Sequence, residues 1–352
     1  MLLIGALGFL APWPEVHALS EPASERQPDP HITDARNDVS ATDQVNRAST
    51  INGNLQKAPL DFDGDGKTDY AVVRVIGGVF TWYIQPSLGG SLISSSWGTA
   101  ATDVVVPGDY DGDNKWDIAV WRNATAATFY ILQSQSNTLR VQAFGQSGDD
   151  PRISQDFDGD GKADPAVTRN VGGVLSFYLL RSTLGFTGVS FGNAITDLPV
   201  RGDFDGDGKA DVACYRNNVG APANTFFVIR SSTGVVVGQN WGGFNTDFVL
   251  PGDFDGDGKT DFSVWRGRSG GSSGVWYWIR SSNGVVSGVG FGMGGPDRAS
   301  PGDYDGDGMT DPAVWRTTGT PAFYVLRSTL GFTGANFGIS SDTAPAFTLQ
   351  AR

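Results

Sequence analysis

The chain has 352 residues and a formal charge of -13, with 25 Lys and Arg against 38 Asp and Glu; this acidic balance argues against nucleic acid as a partner. Only 18% of residues are charged and 49 are Gly, a composition that favours short strands and many turns over long helices. A single cysteine, Cys214, excludes an internal disulfide, and its place in the run Val212 to Tyr215 marks it as a small buried hydrophobe.

From the start, Met1 to Ala11 is apolar but too short to span a bilayer. With Val16-His17-Ala18 as a small-residue cleavage site, residues 1–18 read as a secretory signal peptide, although no Lys or Arg precedes Arg26. Residues 19–52 are polar and contain Pro, as in a flexible leader. No later segment is apolar enough to cross a membrane, so the mature chain is expected to lack a transmembrane span and to be secreted.

From residue 53 to 349 the chain is a repeat. An Asp-x-Asp-Gly-Asp-Gly-x-x-Asp loop begins at Asp61, Asp109, Asp156, Asp203, Asp253 and Asp303, with spacings of 48, 47, 47, 50 and 50 residues. Such a period signals a propeller or a solenoid. After each loop comes an apolar run ending in Arg, such as Phe262-Ser263-Val264-Trp265-Arg266. A Gly/Ser/Asn break, an aromatic run such as Val275-Trp276-Tyr277-Trp278, a turn such as Ser281-Ser282-Asn283-Gly284, and a weaker strand ending in Phe291-Gly292 follow. A short stretch, Asp297 to Pro301, leads into the next loop. Four short strands with their turns fill about 40–48 residues. The expected fold is all-β, a β-propeller of four-stranded blades. Six loops and six pairs (Trp97-Gly98, Phe144-Gly145, Phe191-Gly192, Trp241-Gly242, Phe291-Gly292, Phe337-Gly338) predict six blades, with seven as the alternative. An Asp stands six residues before loops two to six, at Asp103, Asp150, Asp197, Asp247 and Asp297; the next in phase is Asp342. The tail from Asp342 to Leu349 is therefore expected to dock beside blade one and close the ring.

In each loop, carboxylates recur at positions 1, 3, 5 and 9. These are Asp61, Asp63, Asp65 and Asp69; Asp109, Asp111, Asp113 and Asp117; Asp156, Asp158, Asp160 and Asp164; Asp203, Asp205, Asp207 and Asp211; Asp253, Asp255, Asp257 and Asp261; and Asp303, Asp305, Asp307 and Asp311. Four anions in one tight loop repel unless a cation sits among them, and hard oxygen donors at this spacing select Ca²⁺ over Mg²⁺, giving about six sites. Position 7 is expected to serve through its backbone carbonyl, which is why its side chain can vary: Lys67, Lys115, Lys162, Lys209, Lys259 and Met309. Position 6 needs φ > 0, supplied by Gly except at Asn114. An EF-hand shares the early positions but ends in Glu at 12 between helices. Residues 51–352 hold 31 Asp, 6 Lys and 16 Arg, a net of -9 that six Ca²⁺ turn to +3.

The loops and the Phe-Gly pairs resemble the FG-GAP and VCBS repeats, best known from integrin α propellers. The family's Gly-Ala-Pro element is replaced by Trp-Arg or a relative, as at Trp121-Arg122 and Trp315-Arg316, which looks more like the bacterial secreted branch. The resemblance implies calcium-stabilised extracellular recognition of protein or glycan.

Other features have simpler readings. Arg201-Gly202-Asp203 spells an integrin-recognition tripeptide, but Asp203 is committed to its loop and the match is read as coincidence. Arg74, Arg122, Arg169, Arg216, Arg266 and Arg316 close the strand after each loop and are expected to pair with an Asp or cap carbonyls in their own blades, rather than to line a channel. Trp82, Tyr83, Phe129, Tyr130, Phe177, Tyr178, Trp276 and Trp278 sit mid-strand and read as core rather than sugar platforms. Both histidines, His17 and His31, precede the repeats, no Glu follows Glu25, and every later Asp except Asp149 recurs in the repeat. That inventory is poor for a hydrolase. A non-catalytic recognition or adhesion module is expected, with a calcium-dependent polysaccharide lyase or hydrolase, or a structural matrix component, as alternatives. The longest loops between second and third strands, Arg216 to Asn224 and Gly267 to Gly274, are the first candidates for a ligand sector.

Overall fold

The computed structural model describes residues 58–348, apart from 219, 221, 222, 244–246 and 268–272. The expected signal peptide, the leader, and the tips of the two long loops of blades four and five lie outside the described residues. Among those described, no helix is long and apolar enough to cross a membrane.

The repeat folds into six four-stranded antiparallel blades arranged as a six-bladed β-propeller. Blade one takes β1 (Tyr70–Ile76), β2 (Val79–Gln85) and β3 (Ile93–Thr99), and blade two takes β4 (Asp103–Val105), β5 (Ile118–Arg122), β6 (Thr128–Leu132) and β7 (Leu139–Ala143) in that spatial order. The Asp loop joins the first strand of a blade to its second, as between β4 and β5. The same order recurs over Asp197–Asn240, Asp247–Met293 and Asp297–Asn336. Blades one and three have three-stranded ladders, and a single bridge supplies the missing first strand: Val73 to Thr343 in blade one and Asp150 to Thr168 in blade three.

Burial falls off from the axis outward. β5 (IAVWR) is buried on both faces until its last residue, whereas β7 (LRVQA) alternates between exposed and half-buried positions. The strands packed between neighbouring blades are thus apolar on both faces and the outermost ones are not. Trp82, Phe129, Phe177 and Trp276 are core, as predicted. Their partners Tyr83, Tyr130 and Tyr178 are half-buried and each carries an Arg guanidinium over its ring, at 4.5, 4.6 and 4.6 Å. Cys214 is fully buried, and burial pushes its thiol up to about 12.

In blades two, five and six a Trp and the Phe-Gly pair lock the outer strand to the core. The Trp121 indole donates to the Phe144 carbonyl (3.0 Å), and Trp265 and Trp315 do the same to Phe291 and Phe337 (3.1 and 3.2 Å). The Gly that follows has positive φ, for example +99° at Gly145 and +104° at Gly192. A Cβ at Gly192 would stand 2.8 Å from an Asp197 oxygen, so only Gly fits.

That Asp is one half of a clamp repeated in every blade. Arg122, Arg216, Arg266 and Arg316 place Nε and Nη on the two oxygens of Asp103, Asp197, Asp247 and Asp297 at 2.7–3.0 Å. Each Asp side chain is shielded from solvent. The same Asp accepts an N–H from the residue after the preceding Phe-Gly or Trp-Gly pair, as Thr99 to Asp103 (2.7 Å) and Met293 to Asp297 (2.7 Å). Burial raises the carboxyl pKa of Asp103 and Asp197, but the Arg fork and the backbone donor outweigh it and hold both below the ordinary value. The six Arg thus serve the blades, as expected, and none lines the axis.

Blade three corrects the sequence register. Arg169 pairs with Asp149 (2.7 Å to each oxygen), not with Asp150, which turns to Arg152 (2.9 Å). Asp149 is therefore the repeated residue. One extra residue and Pro151 separate it from the loop, which leaves this first strand as a single bridge.

The tail closes the ring as expected. Asp342 forks onto Arg74 (2.7 and 2.9 Å), Thr343 exchanges both backbone bonds with Val73 (2.8 and 2.9 Å), and Ala344 packs with Val72, Trp315 and Phe323. A short helix, α1 (Pro345–Thr348), follows and touches β1. Truncation after Ser341 should lower the melting temperature by many degrees. The milder Asp342→Ala should cost roughly 1.5–3 kcal/mol, the range for hydrogen bonds to charged groups. A truncated chain that melts like the full one would show that the clamp and the strand do not close the ring.

Candidate metal centres

Each loop folds around its own carboxylates. Asp61 Oδ1 accepts from Gly64 N (2.6 Å) and its Oδ2 from Gly66 N (2.8 Å); Asp69 accepts from Phe62 N (2.8 Å) and Ser87 N (2.6 Å). The later loops repeat this, for example at Asp253 and Asp261. Positions 4 and 6 take up positive φ: +82° and +83° at Gly64 and Gly66, and +70° at Asn114. Asn114 thus fills the turn as predicted.

The folding brings the acids of positions 1, 3 and 9 together. One carboxylate oxygen from each of Asp61, Asp63 and Asp69 lies within 4.8 Å of the others, and the same holds for the trios beginning at Asp109, Asp156, Asp203 and Asp253. At an effective dielectric of 20 each such pair of ionised charges would repel by about 3.5 kcal/mol or more. Position 5 turns toward the hairpin that caps the loop. Asp65 accepts from Lys67 N (2.9 Å) and Ser87 Oγ (2.8 Å), and Asp257 likewise from Lys259 N (3.0 Å) and Ser281 Oγ (2.7 Å).

Burial, reinforced by the neighbouring carboxylates, raises the position 9 acids: Asp69, Asp164, Asp261 and Asp311 to about 7, and Asp117 and Asp211 to about 6. Asp253 and Asp303 rise to about 6 for the same reason. One oxygen of each of Asp158, Asp205, Asp255 and Asp305, all at position 3, is buried with no hydrogen-bond partner. A buried, orphaned carboxylate oxygen in a loop that gathers three carboxylates fits a hard cation.

Sequence reasoning missed the serines of the hairpin. Ser87, Ser134, Ser182, Ser231, Ser281 and Ser328 each give their N–H to position 9 (2.6–2.7 Å) and their hydroxyl to position 5. The signal was available, since Ser stands at that place in all six repeats.

The loops are also joined to one another. The N–H at position 8 donates to the position 1 carbonyl of the preceding loop: Trp116 to Asp61, Ala163 to Asp109, Ala210 to Asp156, Thr260 to Asp203, Thr310 to Asp253, and Thr68 to Asp303, at 2.5–2.7 Å. These six bonds form a closed circle around the axis. The position 7 stem lies over the position 4 glycine of the preceding loop, Lys115 on Gly64 and, completing the circle, Lys67 on Gly306. Inside the circle is a cavity of about 490 Å³ lined by five of the loops and, beside the first, by Pro59 and Leu60. Arg201 lines it and is enclosed enough that burial draws its guanidinium down to about 10. The carboxylate of Asp203 faces its own loop, bonded to Gly206 and Gly208 N–H, so the Arg-Gly-Asp tripeptide is not displayed as a unit.

No family model and no curated protein sequence matches the chain. Among solved structures it is similar to AofleA from Arthrobotrys oligospora (11% identity, TM-score 0.47, covering 77% of this chain and 87% of that one). It is also similar to candidate 6-phosphogluconolactonases from Bacteroides fragilis (13%, 0.43, 80% and 96%) and Bacteroides uniformis (12%, 0.41, 77% and 84%). At these values the fold assignment rests on the chain's own sheets.

The pKa directions fix a pH dependence. In chelator, carboxyls whose pKa is raised in the folded state hold protons that the unfolded chain has released, so the stability these loop acids contribute is full below about pH 4 and is lost as pH rises to about 7, while the clamp acids, with lowered pKa, lose theirs only as pH falls below their ordinary range. With calcium present the cation replaces those protons, and the slope should flatten or reverse across the same window. Urea midpoints at pH 4.5 and 7.5, with and without chelator, read this directly. Asp261→Asn relieves the carboxylate repulsion but turns one of the two acceptors used by Phe254 N and Ser281 N into an amide NH2, so in chelator at pH 7.5 it should cost about 1–2 kcal/mol. In calcium at ten to a hundred times Kd it should lose about 1.4–2.7 kcal/mol more, the linkage of one site. Equal effects in both buffers would contradict a cation at that loop.

Proposed function

We propose that the protein is a secreted, calcium-stabilised propeller that acts as a non-catalytic recognition or adhesion module for protein or glycan outside the cell. The observation that carries this reading is the circle of loops. Each neighbouring pair of blades meets through an Asp loop, so cations that relieve the carboxylate repulsion also fix the blades relative to one another. Extracellular calcium, in the 10⁻⁴–10⁻³ M range where modules of this kind bind, would then hold the disc rigid. A rigid disc presents its surface loops in fixed positions, which is where recognition sites concentrate.

The chemistry of the repeated residues supports binding over turnover. The loop acids are engaged with their own backbone, the clamp acids with Arg, and Cys214 is buried with its thiol pKa raised. The resemblance to FG-GAP and VCBS repeats points the same way and belongs to this proposal.

A screen of glycans, cell-wall polymers and extracellular matrix proteins, with calcium and with chelator, tests the reading. Saturable binding in calcium, lost on chelation and without product release, is expected. Release of product from any polysaccharide, or binding indifferent to calcium, would overturn it.

A further inference from the structure

The propeller is close to six-fold in sequence, and the residues facing the axis depart from that symmetry in one sector. Two residues before the loop stand Pro59, Pro107, Ser154, Arg201, Pro251 and Pro301; at position 8 stand Thr68, Trp116, Ala163, Ala210, Thr260 and Thr310. The backbone at the first of these places is met by Pro in four blades, so nothing in the fold requires a cation there. Arg201 and Trp116 nevertheless converge on the cavity wall, with the guanidinium carbon 6.0 Å from the Trp116 ring centre. Gln155, where four other loops have Gly, lines the same wall.

Arg201 spends one Nη on the Ser154 carbonyl (3.0 Å) and forms no ion pair with a carboxylate among the described residues. Four of its five N–H donors are left for whatever occupies the cavity. Each of the six Arg that close a strand after a loop, by contrast, is forked onto an Asp. Arg201, Lys162 and Lys209 line the cavity with Asp109, Asp156, Asp160 and Asp203; the lysines belong to loops that carry these acids, which leaves Arg201 as the cation outside the loops, and the four acids disfavour a dianion more than a monoanion. Leu60, Leu250, Pro251 and Trp116 supply an apolar surface beside the cation, which suits an organic body rather than a bare inorganic ion. About 490 Å³ is within the range of small-molecule sites.

We propose that the axial cavity binds a small organic monocarboxylate, with the carboxylate on the Arg201 fork and the body of the ligand against Trp116. The site is separate from any macromolecular recognition surface on the disc and does not rest on that reading. It uses the two residues that the repeat does not explain.

Calorimetric titration of the full, calcium-loaded chain tests it, with benzoate and galacturonate as carboxylate probes, benzamide and galactose as neutral counterparts, and inorganic phosphate as the other anion. At least one carboxylate should bind saturably, with its neutral counterpart and phosphate at least tenfold weaker. Arg201→Gln should weaken that carboxylate by roughly tenfold or more, the scale of one charge-assisted contact. Arg201→Lys, which keeps the charge and loses the fork, should fall between. Trp116→Phe should weaken it less than Arg201→Gln. Thermal melts run beside the titrations show whether each variant is folded, and the Lys variant carries the test if the Gln variant is not. Absence of carboxylate binding to the wild type at about 10 mM, unchanged affinity in the folded Arg201 variants, or phosphate binding in preference to both carboxylates would overturn the assignment.

Discussion

Three carboxylates held within 4.8 Å of one another, in loop after loop, are the constraint on which the rest of this protein depends. No folded chain keeps such groups ionised and buried without an opposing charge. Backbone N–H donors and hairpin serines satisfy part of their hydrogen-bonding capacity but supply no net charge. The remaining choices are a proton or a cation, and the raised acid pKa values record the cost of having neither. A cation in each loop is the choice that leaves the domain near neutral.

The same loops decide how the blades associate. A propeller blade buries its faces against two neighbours, and the closing contacts must be as good as the others. Here the circle of position 8 to position 1 hydrogen bonds and the circle of position 7 stems on position 4 glycines both run through the junction between the last loop and the first. Near the chain's end, Asp342 repeats for blade one the clamp that each inner strand makes for its own blade. Loop, clamp and core are thus joined: the clamp Asp binds the turn leaving one blade and the Arg of the next, and the Arg lies on an aromatic ring of that next blade.

Much of this was legible in the sequence because repetition makes chemistry visible. Six copies of one Asp pattern gave the blade number, the clustering of carboxylates and the turn at Asn114, and the phase of Asp342 located the closing strand. The register of blade three was lost because two adjacent acids, Asp149 and Asp150, compete for one role, and only the three-dimensional position of Arg169 decides between them. The hairpin serines were passed over because their role depends on a contact across some twenty residues. Arg201 and Trp116 were missed for the opposite reason. A reading built on what recurs treats single departures as noise, and the meeting of two residues from different blades on one cavity wall is a tertiary contact that no local pattern reveals.

The central claim is that each loop is a cation site, and direct counting of bound calcium tests it best. Equilibrium dialysis of the chelator-treated protein against millimolar calcium should return close to six ions per chain, one for each loop, and an equal concentration of magnesium should displace few of them. A count of zero or one, with the protein fully folded in chelator at pH 7.5, would contradict the account.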